Sequence, residues 1–201
     1  MAKDYEYDIF LSYRRRNPVK GWVENHFYPL LRDWLPHVMP RKPKIFRDFD
    51  QIETGSQWAL KIKQALKTSR CLVSVCSPDY FRSPWCQAEF YSMMKRENIV
   101  GLRTEDRPNG LIYPVRYSDG EHFPPEVKQM QMKDLSKWRS PSPVFAESIH
   151  FLDLEKQVQS ITEELWEMIN NVPQWQEDWP IITPEAYSNE DDNIQVKIPR
   201  L

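Results

Sequence analysis

The sequence predicts an α/β protein built on a doubly wound parallel sheet, and three observations carry that prediction. Short apolar runs recur at residues 7–13, 44–46, 71–76 and 111–115, separated by segments of helical period. The runs lack clean alternation, which is how a strand covered on both faces reads. Parallel neighbours each need a crossover, so strands alternating with helices place helices on both faces of the sheet.

Taken in order, residues 7–13 (Tyr-Asp-Ile-Phe-Leu-Ser-Tyr) are the first strand, and helical spacing runs from about 22 to 35. A second strand at 44–46 ends in the acidic loop 47–55, after which Ser56 is placed to cap a helix with Trp58, Ile62, Ala65 and Leu66 on one face. The third strand leads to Ser83-Pro84. Serine is a good N-cap and proline fits the first helical position, so a helix starts there. Its inward stripe is Cys86, Phe90, Met93 and Met94; Trp85 and Glu89, four residues apart on the neighbouring stripe, lie at the rim. Residues 111–115 form a fourth strand closed by Pro114, followed by an irregular stretch to about 143 and a last helix over 146–170. After residue 170 the period stops. The division expected is a domain over 1–171 and an extended tail over 172–201, pinned to the domain by Trp175 and Trp179.

Composition narrows the function. With 201 residues, 40% hydrophobic residues and a net charge of −2, the chain reads as one globular domain with additions and no electrostatic excess for nucleic acid. No apolar stretch reaches membrane-spanning length, and the charged start lacks the core of a signal peptide, so a cytoplasmic protein off the membrane is expected. Cys71, Cys76 and Cys86 form no CxxC pair and are read as reduced, the first two as core. Phosphate loops of the GxxxxGK[ST] and GxGxxG types are absent. His26, His37, His122 and His150 lack ligand spacing, so no metal is expected. Ser12 and Ser77 have no GxSxG context, and no cysteine has a histidine near it in sequence. Carboxylates are left as the candidates for chemistry. Ligands of such folds bind beyond the carboxyl ends of the strands, which selects the loop after Tyr13, the loop 47–55 and the segment 77–89.

Three boxes in order add a resemblance. The opening Tyr-Asp-Ile-Phe-Leu-Ser-Tyr-Arg-Arg, the loop from Phe46-Arg47-Asp48 to Gly55, and the segment from Ser77 ending in Trp-Cys-x-x-Glu at Glu89 resemble the Toll/interleukin-1 receptor (TIR) domain family over roughly residues 5–115. The likeness is to its bacterial stand-alone, NAD-cleaving members of the Thoeris-like antiphage type. It implies a flavodoxin-like TIR fold with a C-terminal extension, and Glu89 as the catalytic residue that cleaves NAD between nicotinamide and ribose. NAD is then the substrate, with no further cofactor. Trp85 would stack on a base ring, while Tyr13, Arg14 and Asp48 would line the pocket, Arg14 being the candidate for the pyrophosphate. Two departures stand out. Asn17-Pro18 occupies the place where members often carry an acid, and the late Phe-Trp pair of receptor-type members is not evident.

One carboxylate is a sufficient engine for this reaction, because the leaving group is a cationic pyridinium that departs as neutral nicotinamide without protonation. Ordinary glycosides need an acid as well as a second carboxylate. Glu89 would hold the ribose hydroxyls and stabilise the oxocarbenium-like charge as it develops. Blander readings stand beside these: a glutamate in a helix's second turn is usually solvated, Trp85 serves equally to cover a sheet edge, and Trp22, Trp34, Trp58 and Trp166 read as packing residues.

Three functions stay open on the sequence. One is an enzyme making an ADP-ribose-type signal, linear or cyclic, for a downstream effector. Another is a plain NAD-depleting hydrolase, and the third is a non-catalytic interaction module. The resemblance also implies self-association through the BB loop, Arg47 to Gly55.

Overall fold

The computed structural model describes residues 4–47, 56–104 and 109–184. Five parallel strands, β1 (Tyr7–Tyr13), β2 (Ile45–Arg47), β3 (Ser69–Cys76), β4 (Ile112–Arg116) and β5 (Lys133–Asp134), pair in the order β2-β1-β3-β4-β5. The order reverses between β1 and β3, and in open sheets of this kind the crevice at such a reversal is where ligands bind.

Side chains of β1 alternate between two cores, as its dihedral pleat requires. Ile9, Leu11 and Tyr13 join Val73 and Val75 beneath a helical layer, while Phe10 joins Leu72 and Ile112 on the other face. Both faces being covered, no polar alternation appears in the sequence. The first layer holds α1 (Val19–Trp22), a π-helical turn (Val23–Phe27), α2 (Tyr28–Val38) and α6 (Ile149–Asn170). In α6, Leu154, Val158, Ile161 and Leu165 recur at three- and four-residue spacing and are fully buried. The second layer holds α3 (Ser56–Lys67) and α4 (Pro84–Val100). The inward side of α4 is mixed: Cys86, Phe90 and Met93 are buried together with Glu89, Arg96 and Glu97.

Structure and sequence reading differ in places. The stretch read as irregular holds a short helix, α5 (Pro125–Lys128), and the fifth strand, two residues long. Few residues there carry the β-prone pattern, since β5 pairs only through Val115–Lys133 and Arg116–Asp134. Helix α6 begins at Ile149, and the residues before it form a 3-10 turn (Pro143–Glu147).

Buried charge fastens the amino edge of the sheet. Asp8, 2% exposed at its side chain, accepts from Arg41 Nη1 at 2.8 Å and from the Lys44 amide at 2.9 Å, and Arg70 Nε lies 3.5 Å away. These contacts tie the entry of β2 to the start of β1. Residues 172–184 cross near the same edge. Trp175 Nε1 donates to the Lys67 carbonyl at 3.2 Å, and Ser92 Oγ accepts from the Ile182 amide at 2.8 Å. Trp179 is buried with its ring 5.0 Å from the guanidinium of Arg96, which itself donates to the carbonyls of Ser69 and Leu66. Among the described residues no helix is long and apolar enough to cross a membrane.

Asp8→Ala leaves the Lys44 amide and the Arg41 guanidinium without this acceptor and removes one of the two carboxylates beside Arg70. It is expected to lower unfolding free energy by about 2–3 kcal/mol, read from the urea midpoint; an unmoved midpoint would contradict the role given to Asp8.

Candidate active site

Glu89 sits in the second turn of α4, and the start of that helix is fixed locally. Ser83 has extended backbone and its hydroxyl accepts from the Cys86 amide at 3.5 Å; Pro84 follows as the first helical residue. Arg14, just past β1, reinforces this corner by donating to Asp79 Oδ2 at 3.0 Å and to Ser83 Oγ at 3.2 Å. A turn starting at Ser77 brings the Tyr80 amide onto Ser77 and buries the Tyr80 ring completely.

Glu89 is buried, 7% exposed, and does not lie at the rim as its helical stripe suggested. The reason is its neighbour at the carboxyl end of β1. Ser12 shares the sheet face of Phe10 and donates to Glu89 Oε2 at 2.5 Å. Tyr80 OH lies 2.8 Å from Ser12 Oγ. Since the Ser12 proton is committed to the carboxylate, Tyr80 is the donor in that second bond, and the groups form a relay of dipoles aimed at Glu89. Burial holds the Tyr80 hydroxyl well above its ordinary pKa, so it keeps its proton. Glu89 Oε1 has no hydrogen-bond partner among the described residues.

Burial pushes the Glu89 carboxyl up to about 7, against the lowering effects of the Ser12 hydrogen bond and the Arg15 charge. The cation felt by Glu89 is therefore that of Arg15, while Arg14 is engaged with Asp79 and Ser83. Arg15 also lies over the Trp58 ring, 5.0 Å from its centroid, and Trp58 meets Trp85 edge to face at 4.7 Å. Both indoles are half-buried and pack against the α3–α4 core. Two indoles, a cation and a buried carboxylate thus converge at the carboxyl end of β1, beside the reversal in strand order.

Of the residues named from the sequence, Glu89 and Trp85 come together here. Tyr13 follows Ser12 and therefore points to the opposite face, where it is buried with the α2–α6 core. Asp48 and the rest of the loop 48–55 lie outside the described residues, and with them the surface assigned to self-association. Ser12, Tyr80, Arg15 and Trp58 were not singled out for the site. Period two in β1 was the available signal, since it sets Ser12 on the face of Phe10 and Tyr13 on the other. As for metals, Asp119, Glu121 and His122 bring ligand atoms within 4.8 Å of one another, but all three are exposed, where acidic groups commonly cluster without an ion.

A family model described as TIR domain matches residues 9–150. The chain belongs to the TIR-domain family. Its parallel five-stranded sheet is the TIR fold, and the first and third boxes lie on the elements that build the site. This TIR domain is 28% identical over 111 residues to the disease resistance protein RUN1 of Vitis rotundifolia, covering 55% of this chain and 7% of that protein. It is 29% identical over 91 residues to the TMV resistance protein N of Nicotiana glutinosa, covering 45% of this chain. The chain thus spans 7% of the length of either relative. Among solved structures, the TIR domain of the Toll-related receptor TRR-2 from Hydra magnipapillata aligns with 76% of this chain and 98% of its own, at 21% identity and a TM-score of 0.47. The TIR domains of the activated Roq1 resistosome align with 81% of this chain and 85% of their own, at 20% identity and a TM-score of 0.40.

Raising a carboxyl from 4.5 to about 7 has a consequence for stability. The folded chain holds the proton more tightly than the unfolded one, so this contribution is complete below about pH 4.5 and is lost as pH rises through about 7. Glu89→Gln, neutral throughout, is expected to be more stable than the parent at pH 8 by roughly 3 kcal/mol, with the difference vanishing below about pH 4. A difference in unfolding free energy that does not change with pH would contradict the burial argument.

Proposed function

We propose that this TIR domain cleaves NAD between nicotinamide and ribose, with Glu89 as the catalytic residue. The observation that carries the proposal is a buried carboxylate with one oxygen held by Ser12 and the other without a hydrogen-bond partner among the described residues, beside two half-buried indoles at the carboxyl end of β1. In the reaction the C–N bond to the pyridinium breaks, its electron pair leaves with neutral nicotinamide, and positive charge develops on the ribose. A fixed carboxylate in a water-poor site stabilises that charge more than it stabilises the ground state. Ser12 and Tyr80 orient the carboxylate, Trp85 and Trp58 offer an aromatic wall, and Arg15 supplies the cation for the dinucleotide's phosphates. Arg14 is a positioning residue, joining the end of β1 to the cap of α4.

Capture of the ribosyl cation by water, with loss of a proton, gives ADP-ribose. Capture by the adenine ring of the same molecule gives a cyclic product. We assign the product a signalling role in antiphage immunity on the strength of the family resemblance, and self-association to residues 47–55 on the same ground.

The test is nicotinamide release from NAD by the full chain. Glu89→Ala and Glu89→Gln are expected to lose at least ~100-fold in kcat/KM, and a product one water lighter than ADP-ribose identifies cyclisation. No release by the parent chain across a wide range of protein concentration would overturn the proposal. Because the ionised carboxylate is the active form, kcat/KM should rise with pH through about 7. Ser12→Ala removes a hydrogen bond that lowers this pKa, so the rising limb moves to higher pH and the rate at pH 7 falls several-fold. An unmoved limb would deny Ser12 its part.

A further inference from the structure

The carboxyl-end loops line a second, open cavity of about 450 Å³ that is bordered by Asp79, the partner of Arg14. It draws on the loop after β1, the turn after β3, the end of β4 and the stretch after β5, and Glu89 is not in its lining. That volume falls within the range of small-molecule sites. The floor is apolar, with Val19 and Tyr117 buried beneath it and two prolines, Pro18 and Pro141, along the sides.

Its rim is cationic. Arg16, Arg82 and Arg139, from three different loops, line the cavity and are exposed. Among the described residues none of these guanidinium groups has a side-chain hydrogen-bond or ion-pair partner. The one acid of the lining, Asp79, is already paired with Arg14. The chain as a whole carries a net charge of −2, so three unneutralised arginines around one apolar hollow are a local excess and not a reflection of composition. Guanidinium groups match phosphate oxygens in geometry, and an apolar floor with a tyrosine ring suits a flat heterocycle.

We propose that this cavity is a second ligand site, for a nucleoside monophosphate or diphosphate, separate from the Glu89 site. The phosphate engages the arginine rim and the base lies against Val19 and Tyr117. Binding there makes no use of Glu89, so it stands or falls independently of NAD cleavage. Asp79 borders the cavity while its partner Arg14 holds the Ser83 cap of the Glu89 helix, which gives an occupant of the cavity a short physical connection to the first site.

The experiment is isothermal titration calorimetry of the full chain with AMP, and with inorganic pyrophosphate as the base-free probe. AMP is expected to bind with a Kd below 1 mM, pyrophosphate at least tenfold more weakly, and AMP affinity is expected to weaken with added salt. Changing Arg16, Arg82 and Arg139 together to alanine should weaken AMP at least tenfold, while Glu89→Gln leaves it unchanged. Amide shifts in the parent chain, which need no variant, should concentrate at residues 77–82 and 117–118 on adding AMP. Absence of AMP binding at millimolar concentration, affinity indifferent to the arginine changes, loss of binding in Glu89→Gln, or shifts centred on residues 85–89 would each overturn the proposal. The last two would assign the nucleotide to the Glu89 site instead.

Discussion

The hydrogen bond from Ser12 to Glu89 is the contact on which the account rests. It joins the carboxyl end of β1 to the second turn of α4, and it is made where the strand order reverses. Parallel pairing of β1 with β3 places Ser12 opposite Ser74 and brings the turn after β3 alongside, so Tyr80 reaches Ser12 from that turn. The Ser83 cap and its contact with Arg14 then fix the helix that carries Glu89. Sheet topology, turn and cap all converge on one carboxylate.

Comparison with the other buried charges of the chain shows why that carboxylate is distinctive. Asp8 is met by Arg41, Arg70 and the Lys44 amide. Glu97 accepts from the amides of Leu111 and Ile112 at 2.5 and 2.9 Å and from Arg103 at 2.7 Å, which fastens α4 to the start of β4. Arg96 is spent on two carbonyls and the Trp179 ring. Asp8 and Glu97 are each met by several partners on other elements, and Arg96 ties α4 to the end of α3 and the start of β3, so all three serve the fold. Among the described residues Glu89 receives a single hydrogen bond, and burial raises its pKa to about 7. A buried carboxyl left that incompletely solvated is costly to the folded state, which is the pattern expected where a fold serves a ligand and not its own stability.

Much of this architecture was legible in the sequence. Apolar runs gave four strands, Ser83-Pro84 marked the start of α4, and the ordered boxes singled out Glu89 and Trp85. The fifth strand escaped because two residues carry no periodic signal. Burial of Glu89 escaped because the inward side of α4 is part charged: with Arg96 and Glu97 also inside, polarity no longer marks the solvent side. Tyr13 was assigned to the pocket by its place after the box, whereas the pleat of β1 turns it to the other core. Trp58 read as a packing residue and does pack, yet its ring also joins Trp85 and Arg15 at the site. Contacts between residues 12, 80 and 89 join segments far apart in sequence, and no local pattern encodes them.

The measurement that bears most directly on the central claim is the titration of Glu89 itself, by carbon NMR of the chain labelled at glutamate side-chain carboxyls, with Glu89→Gln to identify the resonance. The account predicts a midpoint near 7 in the free protein, and a downward move when a non-cleavable NAD analogue brings its pyridinium charge to the carboxylate. A midpoint near 4.5, unaffected by the analogue, would contradict it: Glu89 would then be an ordinary solvated glutamate, and the crevice at the end of β1 would have lost its chemistry.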